Sequence, residues 1–462
     1  MNRLVVVSNR VADLTRTAQS GGLAVGLADS LRQRGGVWMG WDGQTLKYED
    51  QPEPRIRKIG TVTQATIPLT EQDYSEYYLG FANSVLWPLF HYRLDLVEYK
   101  TVFLDGYRRV NAKFADALMS ILQPDDLIWI HDYHLIPLAA ELRQRGCTQR
   151  IGFFLHIPFP PPEIVAAVPR HRWLVECLLE FDVIGFQTNT DRGNLQHYVE
   201  DHLGCRVEAD GRIKIGEREV IAGCYPIGID VDSFVEMAER PNDEVNIETQ
   251  RREILGRKQI ICVDRLDYTK GLPDRLRAFA RLLELYPEMR KTVALMQIAT
   301  PTREEVEAYM DIRTELEALS GAINGRFADF NWTPVRYIHG IVPRDALAAL
   351  FRASQVGFVT PLRDGMNLVA KEYVAAQAAE NPGVLVLSKF AGAAEELHEA
   401  LIVNPYDVDD MARNLCRALT MPLEERQERQ KALMKRICKH DAKDWLNAFM
   451  AALEKGETKR AA

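Results

Sequence analysis

The sequence has few cysteines, no long apolar run and no excess of positive charge. Its seven cysteines are scattered, odd in number and without a CxxC pair, which argues against a disulfide framework or a zinc site and favours a reducing cytoplasm. No apolar stretch approaches the roughly 18 residues that span a bilayer, and the apolar run near residue 5 is too short for a signal peptide. We therefore predict a soluble, cytoplasmic protein.

The formal net charge of −8 gives the chain no general positive field. Nucleic acids and anionic membranes are therefore not expected as partners. Any anionic ligand must be held by local clusters of Arg and Lys.

The pattern of apolar runs predicts a parallel-sheet protein of more than one domain. At 462 residues, a prior of about 150 residues per domain gives two or three domains. Short apolar runs alternate with longer helical patterns, which is typical of βαβ units. The predicted strands are Leu4–Ser8, Leu127–His131, Ile151–His156 and Val183–Thr188 in the first half, and Gln259–Val263, Val293–Ile298, Val335–Ile338, Val356–Thr360 and Val384–Ser388 in the second. We predict an α/β fold of two doubly wound domains, with ligands at the carboxyl ends of strands and in the cleft between the domains.

A Pro- and Gly-containing stretch around residues 225–234 is predicted as the linker. This gives an N-terminal domain at residues 1–228 and a C-terminal domain at residues 229–444. A helix at about residues 445–456 carries an apolar stripe that includes Trp445, Phe449 and Leu453. The pattern leaves open whether this helix packs on its own domain or back on the N-terminal one.

Two glycine-containing loops could bind phosphate. Gly21 and Gly22 open a helical pattern, where backbone N–H groups can approach a phosphate closely, although a plain glycine-rich turn fits equally well. In "VDRLDYTKGL", Arg265 and Lys270 lie between a strand and a helix that begins near Leu272. Two cations beside a helix N-terminus suit a diphosphate; a solvated basic loop is the alternative.

Two further strands end in polar side chains. His131, Asp132 and His134 lie at the end of the strand in "LIWIHDYHLIPL", and His156 lies at the end of the strand in "IGFFLHIPFPPPEI". The HxxH spacing could hold a metal ion, but no third ligand is in sight. An acidic or hydrogen-bonding role for Asp132 and His156 is favoured, with structural capping as the alternative.

The stretch "TPLRDGMNLVAKEYVAAQ", residues 360–377, combines an apolar strand with a polar helix start. Free amides at 365–367 suit an anion, Asp364 stands just outside, and Glu372 lies about 12 Å further along the helix. A carboxylate accepts two hydroxyl hydrogens at once, which suits a vicinal diol. The spacing predicts an anionic ligand with hydroxyl pairs, unless Glu372 is merely an exposed helix position.

Two acidic runs resemble the DxD pair that binds divalent cations in some glycosyltransferases. They are "DVD" at 230–232 and "DVDD" at 407–410. Neither follows a convincing strand end beside the other polar clusters, so we predict turn and capping roles for both and no metal site.

Taken together, these segments resemble the trehalose-6-phosphate synthase family of retaining glycosyltransferases. The similar segments run in order from residue 2 to about residue 450: LVVVSNR, GGLAVGL, NSVLWPLFHYR, WIHDYHLIPL, IGFFLHIPFPPPEI, RLDYTKGLP, TPLRDGMNLVAKEYVAAQ and LVLSKFAGAA. That family has the GT-B fold, with two Rossmann-like domains facing a central cleft, and requires no metal. The resemblance implies the same fold here.

The resemblance also implies site residues. The implied donor-binding residues are Gly21, Gly22, His156, Arg265, Lys270, Val342, Asp364, Gly365, Met366, Asn367, Leu368 and Glu372. The implied acceptor-binding residues are Arg10, Trp41, Tyr78, Trp87, Asp132 and Arg303. The implied catalytic residues are Asp132, His156, Arg265, Lys270 and Asp364. Within these sets, Arg265 and Lys270 would hold the diphosphate, Glu372 the ribose, and His156 the transferred glucose.

The implied reaction transfers glucose from UDP-glucose to the anomeric hydroxyl of glucose 6-phosphate with retention, and uses no cofactor. The segment around Val342 keeps only the outline of the family's base-binding pattern, so GDP and ADP stay open as donor nucleotides. UDP is favoured, because the bacterial relatives that this chain resembles use it.

No phosphatase motif is present, so a separate trehalose-phosphate phosphatase is expected to act on the product. The sequence leaves a homo-oligomer open.

Two other functions remain open from the sequence. One is a related synthase with another phosphorylated acceptor, such as a glucosylglycerol-phosphate synthase or a pseudo-glycosyltransferase. The other is a non-catalytic sugar-phosphate sensor. A sensor is expected to have lost donor residues, yet Arg265, Lys270, Asp364 and Glu372 are all present.

Overall fold

The protein forms two compact units, each built on a largely parallel sheet. The computed structural model describes residues 2–11, 31, 35–47, 53–240, 256–302 and 307–455. Unit 1 comprises Met1–Ile227 together with Lys443–Ala462, and unit 2 comprises Gly228–Ala442. The predicted α/β class with two parallel-sheet domains is confirmed. None of the helices in the described ranges is long and apolar enough to cross a membrane.

Unit 1 contains a ten-stranded sheet in the order β3-β4-β2-β1-β5-β6-β7-β10-β9-β8. Its strands are β1 Leu4–Arg10, β2 Gly36–Leu46, β3 Arg55–Ile59, β4 Val62–Thr70, β5 Leu127–His131, β6 Arg150–Phe154, β7 Val183–Phe186, β8 Arg206–Val207, β9 Arg212–Ile215 and β10 Arg218–Cys224. The seven central strands pair in parallel, and the edge strands β3, β8 and β9 pair antiparallel. The chain reverses its direction of strand addition between β1 and β5, so a crevice is expected at their carboxyl ends.

The helices of unit 1 connect these strands and cover the sheet. In chain order they are α1 Glu71–Asp73, the π-helix Tyr74–Leu86, α2 Trp87–Phe90, α3 Thr101–Met119, α4 Leu138–Gln144, α5 Pro162–Val165, α6 His171–Leu178 and α7 Asn189–Leu203.

Unit 2 contains a six-stranded parallel sheet in the order β13-β12-β11-β14-β15-β16. Its strands are β11 Lys258–Arg265, β12 Val293–Thr300, β13 Val335–His339, β14 Val356–Val359, β15 Val384–Ser388 and β16 Leu401–Val403. Numbered from β11, this is the 3-2-1-4-5-6 order of a dinucleotide-binding fold. The reversal lies between β11 and β14, which places the loops after those strands at the expected ligand position.

The helices of unit 2 alternate with its strands. They are α8 Val231–Glu239, α9 Leu272–Leu285, α10 Glu307–Phe327, α11 Arg344–Ala353, α12 Leu368–Ala376, α13 Val408–Thr420 and α14 Leu423–Lys439. The last helix of the chain, α15 Ala442–Lys455, returns to unit 1.

The two acidic runs act as helix caps, as predicted. Asp230 accepts a hydrogen bond from the backbone N–H of Ser233 at 3.1 Å at the start of α8. Asp407 accepts one from Asp410 at 2.8 Å at the start of α13. The division between the two units, at residues 227 and 228, falls inside the stretch 225–234 that we predicted as the linker. Helix α8 begins within that stretch, at Val231. The capping carboxylate of Asp230 stabilises this helix start.

Helix α15 packs on the sheet of unit 1 over two glycines. A Cβ at Gly152 would lie 2.8 Å from the ring of Phe449, and one at Gly185 would lie 2.9 Å from it. The same ring stacks on Trp129 with a centroid distance of 4.7 Å. The two glycines on β6 and β7 therefore form the groove that receives Phe449, and larger residues there would displace the helix.

We expect Phe449→Ala to lower the free energy of unfolding of unit 1 by about 3–5 kcal/mol, because it leaves a cavity over the two glycines. Six of the seven tryptophans belong to unit 1, so urea denaturation followed by tryptophan fluorescence measures this unit. The matched control is Glu454→Ala on an exposed position of α15, which should change the value by no more than about 0.5 kcal/mol. Equal stability of the two variants would contradict the packing role.

Candidate active site

Unit 2 presents a rigid turn directly after its first strand. Asp267 is fully buried, and its Oδ1 accepts hydrogen bonds from the N–H and the hydroxyl of Thr269, both at 2.9 Å. Gly271 follows with φ of +65°, and a Cβ there would lie 2.6 Å from the carbonyl oxygen of Thr360. Only glycine fits at this position. Lys270 is therefore presented in one backbone geometry between β11 and α9.

The ammonium group of Lys270 forms an ion pair with the carboxylate of Asp364. Their side chains are only 9% and 15% exposed, so salt screens the pair weakly. Asn367 Nδ2 donates to the same carboxylate oxygen at 3.1 Å. The backbone of Asp364 is held too, because its N–H donates to Phe390 and its carbonyl accepts from Gly392, both at 3.1 Å. The predicted residues Lys270, Asp364 and Asn367 thus form one cluster.

A fully buried arginine lies beneath this cluster. Arg275 Nη2 is 2.6 Å from Asp264 Oδ2 on β11 and donates to the carbonyl oxygen of Lys270 at 2.8 Å. Arg275 Nε donates to Thr360 Oγ1, just after β14, at 3.0 Å. Burial raises the pKa of Asp264, and the charge of Arg275 opposes that shift. One guanidinium therefore joins the ends of the two strands at the reversal point to the Lys270 turn.

Helix α12 begins beside the same cluster. Asn367 has φ of +81° and caps the helix, with its Oδ1 accepting from the N–H of Ala370 at 3.2 Å. Gly365 and Met366 are buried, and Leu368 is half-buried. The N–H groups of the first helical turn and the helix dipole favour negative charge at this end. The arrangement can hold an anion next to the ammonium of Lys270.

The remaining predicted donor residues lie around this end of the sheet. Glu372 on α12 is half-buried, and its Oε1 lies 3.4 Å from Arg344 Nη2. Burial raises the pKa of Glu372, and Arg344 opposes that shift. Val342 is half-buried before α11, and Arg265 is exposed at the end of β11. Glu372 is therefore not the freely exposed helix position that the sequence left open.

In unit 1, an aromatic cluster surrounds the end of β1. The guanidinium of Arg10 lies 5.7 Å from the centroid of the Trp41 ring. Trp41 contacts Tyr74 and Tyr78 at centroid distances of 5.6 and 5.9 Å. The ring of Tyr78 in turn stacks on His134 at 5.9 Å. The predicted acceptor residues Arg10, Trp41 and Tyr78 are therefore neighbours, with an exposed cation at the edge of a half-buried aromatic surface.

The π-helix explains which side chains share this surface. Its wider turn places residues four and five apart nearly above one another, and Asn83 Nδ2 donates to the carbonyl oxygen of Tyr78 at 2.7 Å. Asn83 Oδ1 accepts from the hydroxyl of Tyr133 at 2.9 Å. The ring of Tyr133 lies 5.7 Å from that of Trp87. Tyr78, Asn83 and Trp87 thus face the loop that follows β5, and such π-helical segments are frequent at functional sites.

Asp132 has an unusual backbone conformation at the end of β5. Its φ of +73° is rare for a residue with a side chain. Its N–H donates to Phe154 at 2.8 Å, and its Oδ1 accepts from the N–H of His156 at 3.3 Å. Strained residues of this kind persist only where the surrounding structure holds them, and they cluster at functional sites.

The two histidines of the HxxH spacing, His131 and His134, have different neighbours. His131 Nδ1 lies 3.1 Å from His156 Nε2, whereas the ring of His134 stacks on Tyr78. Burial lowers the pKa of His156 to about 3 and that of His131 well below its ordinary value. Both rings are therefore neutral near pH 7. Across the described ranges, no three His, Cys, Asp or Glu side chains are grouped as metal ligands.

Three predicted site residues, Gly21, Gly22 and Arg303, lie outside the described residues. Sequence reasoning missed Arg275 and Arg344. A signal for Arg275 existed, because positions 272, 275, 276, 279 and 283 form one helical stripe that is otherwise apolar. A charged residue on such a stripe must be paired when the stripe is buried. No comparable sequence signal marks Arg344.

Comparison with known proteins finds relatives that are similar over nearly the whole chain. The sequence profile of glycosyltransferase family 20 matches residues 3–455. The trehalose-6-phosphate synthase of Citrobacter koseri is 49% identical over 454 residues, 98% of this chain and 95% of that protein.

Two solved structures are similar over nearly the whole chain. One is an alpha,alpha-trehalose-phosphate synthase (UDP-forming) from Burkholderia xenovorans in complex with glucose-6-phosphate, with TM-score 0.94, 51% identity and coverage of 98% of this chain and 100% of that one. The other, from E. coli, is bound with UDP-2-fluoro glucose, with TM-score 0.95, 48% identity and coverage of 99% and 100%.

We expect Arg275→Met to lower the free energy of unfolding of unit 2 by about 3–5 kcal/mol, because it leaves the buried carboxylate of Asp264 unpaired. Replacing both partners, with Arg275→Met and Asp264→Leu, should recover part of that loss, since neither position then holds an unpaired buried charge. Hydrogen–deuterium exchange of β11 and β14 measures both variants. A double variant no more stable than Arg275→Met would contradict this account.

Proposed function

This chain belongs to glycosyltransferase family 20, and we propose on that basis that it transfers glucose from UDP-glucose to the anomeric hydroxyl of glucose 6-phosphate. The products are trehalose 6-phosphate and UDP, and the anomeric configuration of the transferred glucose is retained. Relatives about half identical over nearly the whole chain support this reaction, since one structure holds glucose-6-phosphate and another a UDP-glucose analogue. Within this molecule, the Lys270–Asp364–Asn367 cluster at the reversal point of unit 2 carries the proposal.

We propose that unit 2 binds the nucleotide sugar. Lys270, with Arg265 at the end of the same strand, would balance the diphosphate charge, which the N-terminal end of α12 also favours. The backbone hydrogen bonds of Asp364 and its contact with Asn367 fix its carboxylate, which would accept from glucose hydroxyls in a defined direction. Glu372, half-buried beside Arg344, would accept from the ribose diol. Gly21 and Gly22 are assigned to the donor by resemblance alone.

We propose that unit 1 binds glucose 6-phosphate. Arg10 would pair with the phosphate, and the buried ring of Trp41 and the half-buried ring of Tyr78 would exclude water around it, which strengthens that pairing. Asp132, held in its strained conformation, would accept from acceptor hydroxyls. Trp87 joins the same surface through Tyr133, and Arg303 is assigned by resemblance alone.

In the proposed reaction, the departing diphosphate takes the role that a nucleophilic side chain would otherwise have. The bond from the anomeric carbon to the diphosphate oxygen breaks, and the acceptor hydroxyl oxygen bonds to that carbon on the same face. Its proton passes to the departing diphosphate, whose charge Lys270 and Arg265 stabilise. Asp364 is already bound by Lys270 and Asn367, which weakens it as a nucleophile, so we propose no covalent intermediate. These cations would supply the charge stabilisation without a metal ion.

We assign no phosphate-hydrolysing role to either unit. The product of the proposed reaction would therefore keep its phosphate. We propose that a separate phosphatase removes it.

Lys270→Ala should lower kcat/KM by at least about 100-fold, because it removes a preorganised cation from the developing charge of the leaving diphosphate. Initial rates of UDP release measure the effect, and circular dichroism checks the fold of the variant. The matched control is Lys431→Ala at an exposed position of α14, which should retain the wild-type rate. A near-normal rate for Lys270→Ala would remove this residue from the mechanism.

A matrix of substrates tests the reaction itself. UDP-, GDP- and ADP-glucose are each combined with glucose 6-phosphate and with glycerol 3-phosphate, and nucleotide release is followed with and without EDTA. We expect turnover with UDP-glucose and glucose 6-phosphate, unchanged by EDTA. Turnover only with glycerol 3-phosphate would indicate a related synthase with another acceptor, and turnover with no pair would indicate a sensor.

A further inference from the structure

Three neighbouring strands deliver a connected row of side chains at their carboxyl ends. His131 ends β5, His156 follows β6, and Gln187 follows β7. Because these strands are adjacent and parallel in the sheet, the three side chains meet. His156 Nε2 is 3.1 Å from His131 Nδ1, and His156 Nδ1 is 3.4 Å from Gln187 Nε2. Both ring nitrogens of His156 thus have partners inside unit 1.

The orientation of the Gln187 amide is determined by a second contact. Its Oε1 accepts from the backbone N–H of Ile227 at 2.9 Å. A flipped amide would place the NH₂ group against that N–H, with two donors facing each other. The oxygen therefore faces Ile227, and the NH₂ group faces His156. An amide nitrogen only donates, so His156 Nδ1 must be the acceptor.

The direction of the remaining hydrogen bond follows from this. A neutral imidazole carries one N–H and one acceptor nitrogen. With Nδ1 as acceptor, His156 Nε2 carries the proton and donates to His131 Nδ1. His131 then carries its own proton on Nε2. The low pKa values of both buried rings agree with two neutral imidazoles.

The ring of His156 is also held by packing. Its centroid lies 4.7 Å from that of Phe154 and 6.1 Å, edge to face, from that of Trp445. Trp445 is buried on α15. Rotation of the imidazole would break both hydrogen bonds and these contacts, so one orientation is favoured.

We infer that Gln187 and His131 are positioning residues that hold His156 in a single neutral tautomer, with the proton on Nε2 and neither ring nitrogen available for proton transfer. His156 would accordingly meet the transferred glucose as an oriented, uncharged ring and would act neither as general acid nor as general base. The tautomer is a property of unit 1 alone. Only the effect of the His156 tautomer on the rate of glucose transfer rests on the function proposed above.

The tautomer is measured directly by NMR. The full-length protein is labelled with ¹⁵N in the histidine rings, and two-bond ¹H–¹⁵N correlation spectra separate protonated from unprotonated ring nitrogens. The signals of His156 are identified by their loss in His156→Asn. We expect Nε2 protonated and Nδ1 unprotonated at pH 7. Protonated Nδ1, or an average of both tautomers, would overturn the inference without any activity measurement.

Gln187→Glu tests the part played by the amide. A carboxylate keeps an oxygen for Ile227 but accepts at the other oxygen, so it should move the proton of His156 to Nδ1 or charge the ring. The matched control is Gln144→Glu, which adds the same charge at an exposed position of unit 1 and should leave the His156 signals unchanged. An unchanged His156 tautomer in folded Gln187→Glu would overturn the role of Gln187.

The effect on the reaction rate is measured with Gln187→Glu and with a second variant, Gln187→Met. We expect Gln187→Glu to lower kcat about tenfold or more, because a small misplacement of a positioned group is costly, while KM for glucose 6-phosphate stays within about twofold. Gln187→Met, which neither donates nor accepts strongly, should fall between wild type and Gln187→Glu. A changed tautomer with an unchanged kcat would separate the two arms: His156 positioning would stand, and its part in the proposed transfer would fail.

Discussion

The buried guanidinium of Arg275 is the contact on which the candidate site of unit 2 depends. It binds Asp264 on the first strand, Thr360 after the fourth and the carbonyl of Lys270 between them. A crevice is expected where the strand order reverses, and loops beside a crevice have fewer packing contacts to fix them. A planar group with several fixed donors can join three chain segments at once, which a hydrophobic side chain cannot do. The ion pair of Lys270 and Asp364 can form because this arginine sets the backbone beneath it.

In unit 1, the loop at the reversal of strand order is held by neutral side chains. The loop after β5 is held by the hydroxyl of Tyr107, which donates to the carbonyl of Tyr133 at 2.5 Å, and by Asn111, which donates to the carbonyl of His134 at 3.1 Å. Tyr133 donates in turn to Asn83 on the π-helix. Such a network keeps its geometry over a wide pH range, because none of its members titrates near neutrality. The strain at Asp132 is therefore maintained by hydrogen bonds and packing, in contrast to the charge pairing of unit 2.

Most of the parallel strands could be predicted from the sequence, whereas several contacts between distant residues could not, and both outcomes have physical reasons. All nine predicted strands occur with ends shifted by at most two residues, because strands buried on both faces read as continuous apolar runs. Seven of the sixteen strands in the described residues were missed. One of them is Gly36–Leu46, whose glycines and polar residues break that signal. Lys270 and Asp364 were assigned to one ligand by resemblance, but their direct pairing could not be read from positions 94 residues apart. The row of His131, His156 and Gln187 likewise depends on strand order, which local pattern does not reveal.

The return of α15 to unit 1 has a consequence for how the protein is made. Unit 1 is interrupted by the whole of unit 2, and its last helix is the final described segment of the chain. At about 5–20 residues per second, the ribosome needs roughly 10 to 40 seconds to synthesise the intervening unit. During that interval the groove over Gly152 and Gly185, with the ring of Trp129 beside it, has no Phe449 to cover it. The nascent chain therefore carries an exposed apolar surface until α15 has been synthesised, at a stage where chaperones bind such surfaces.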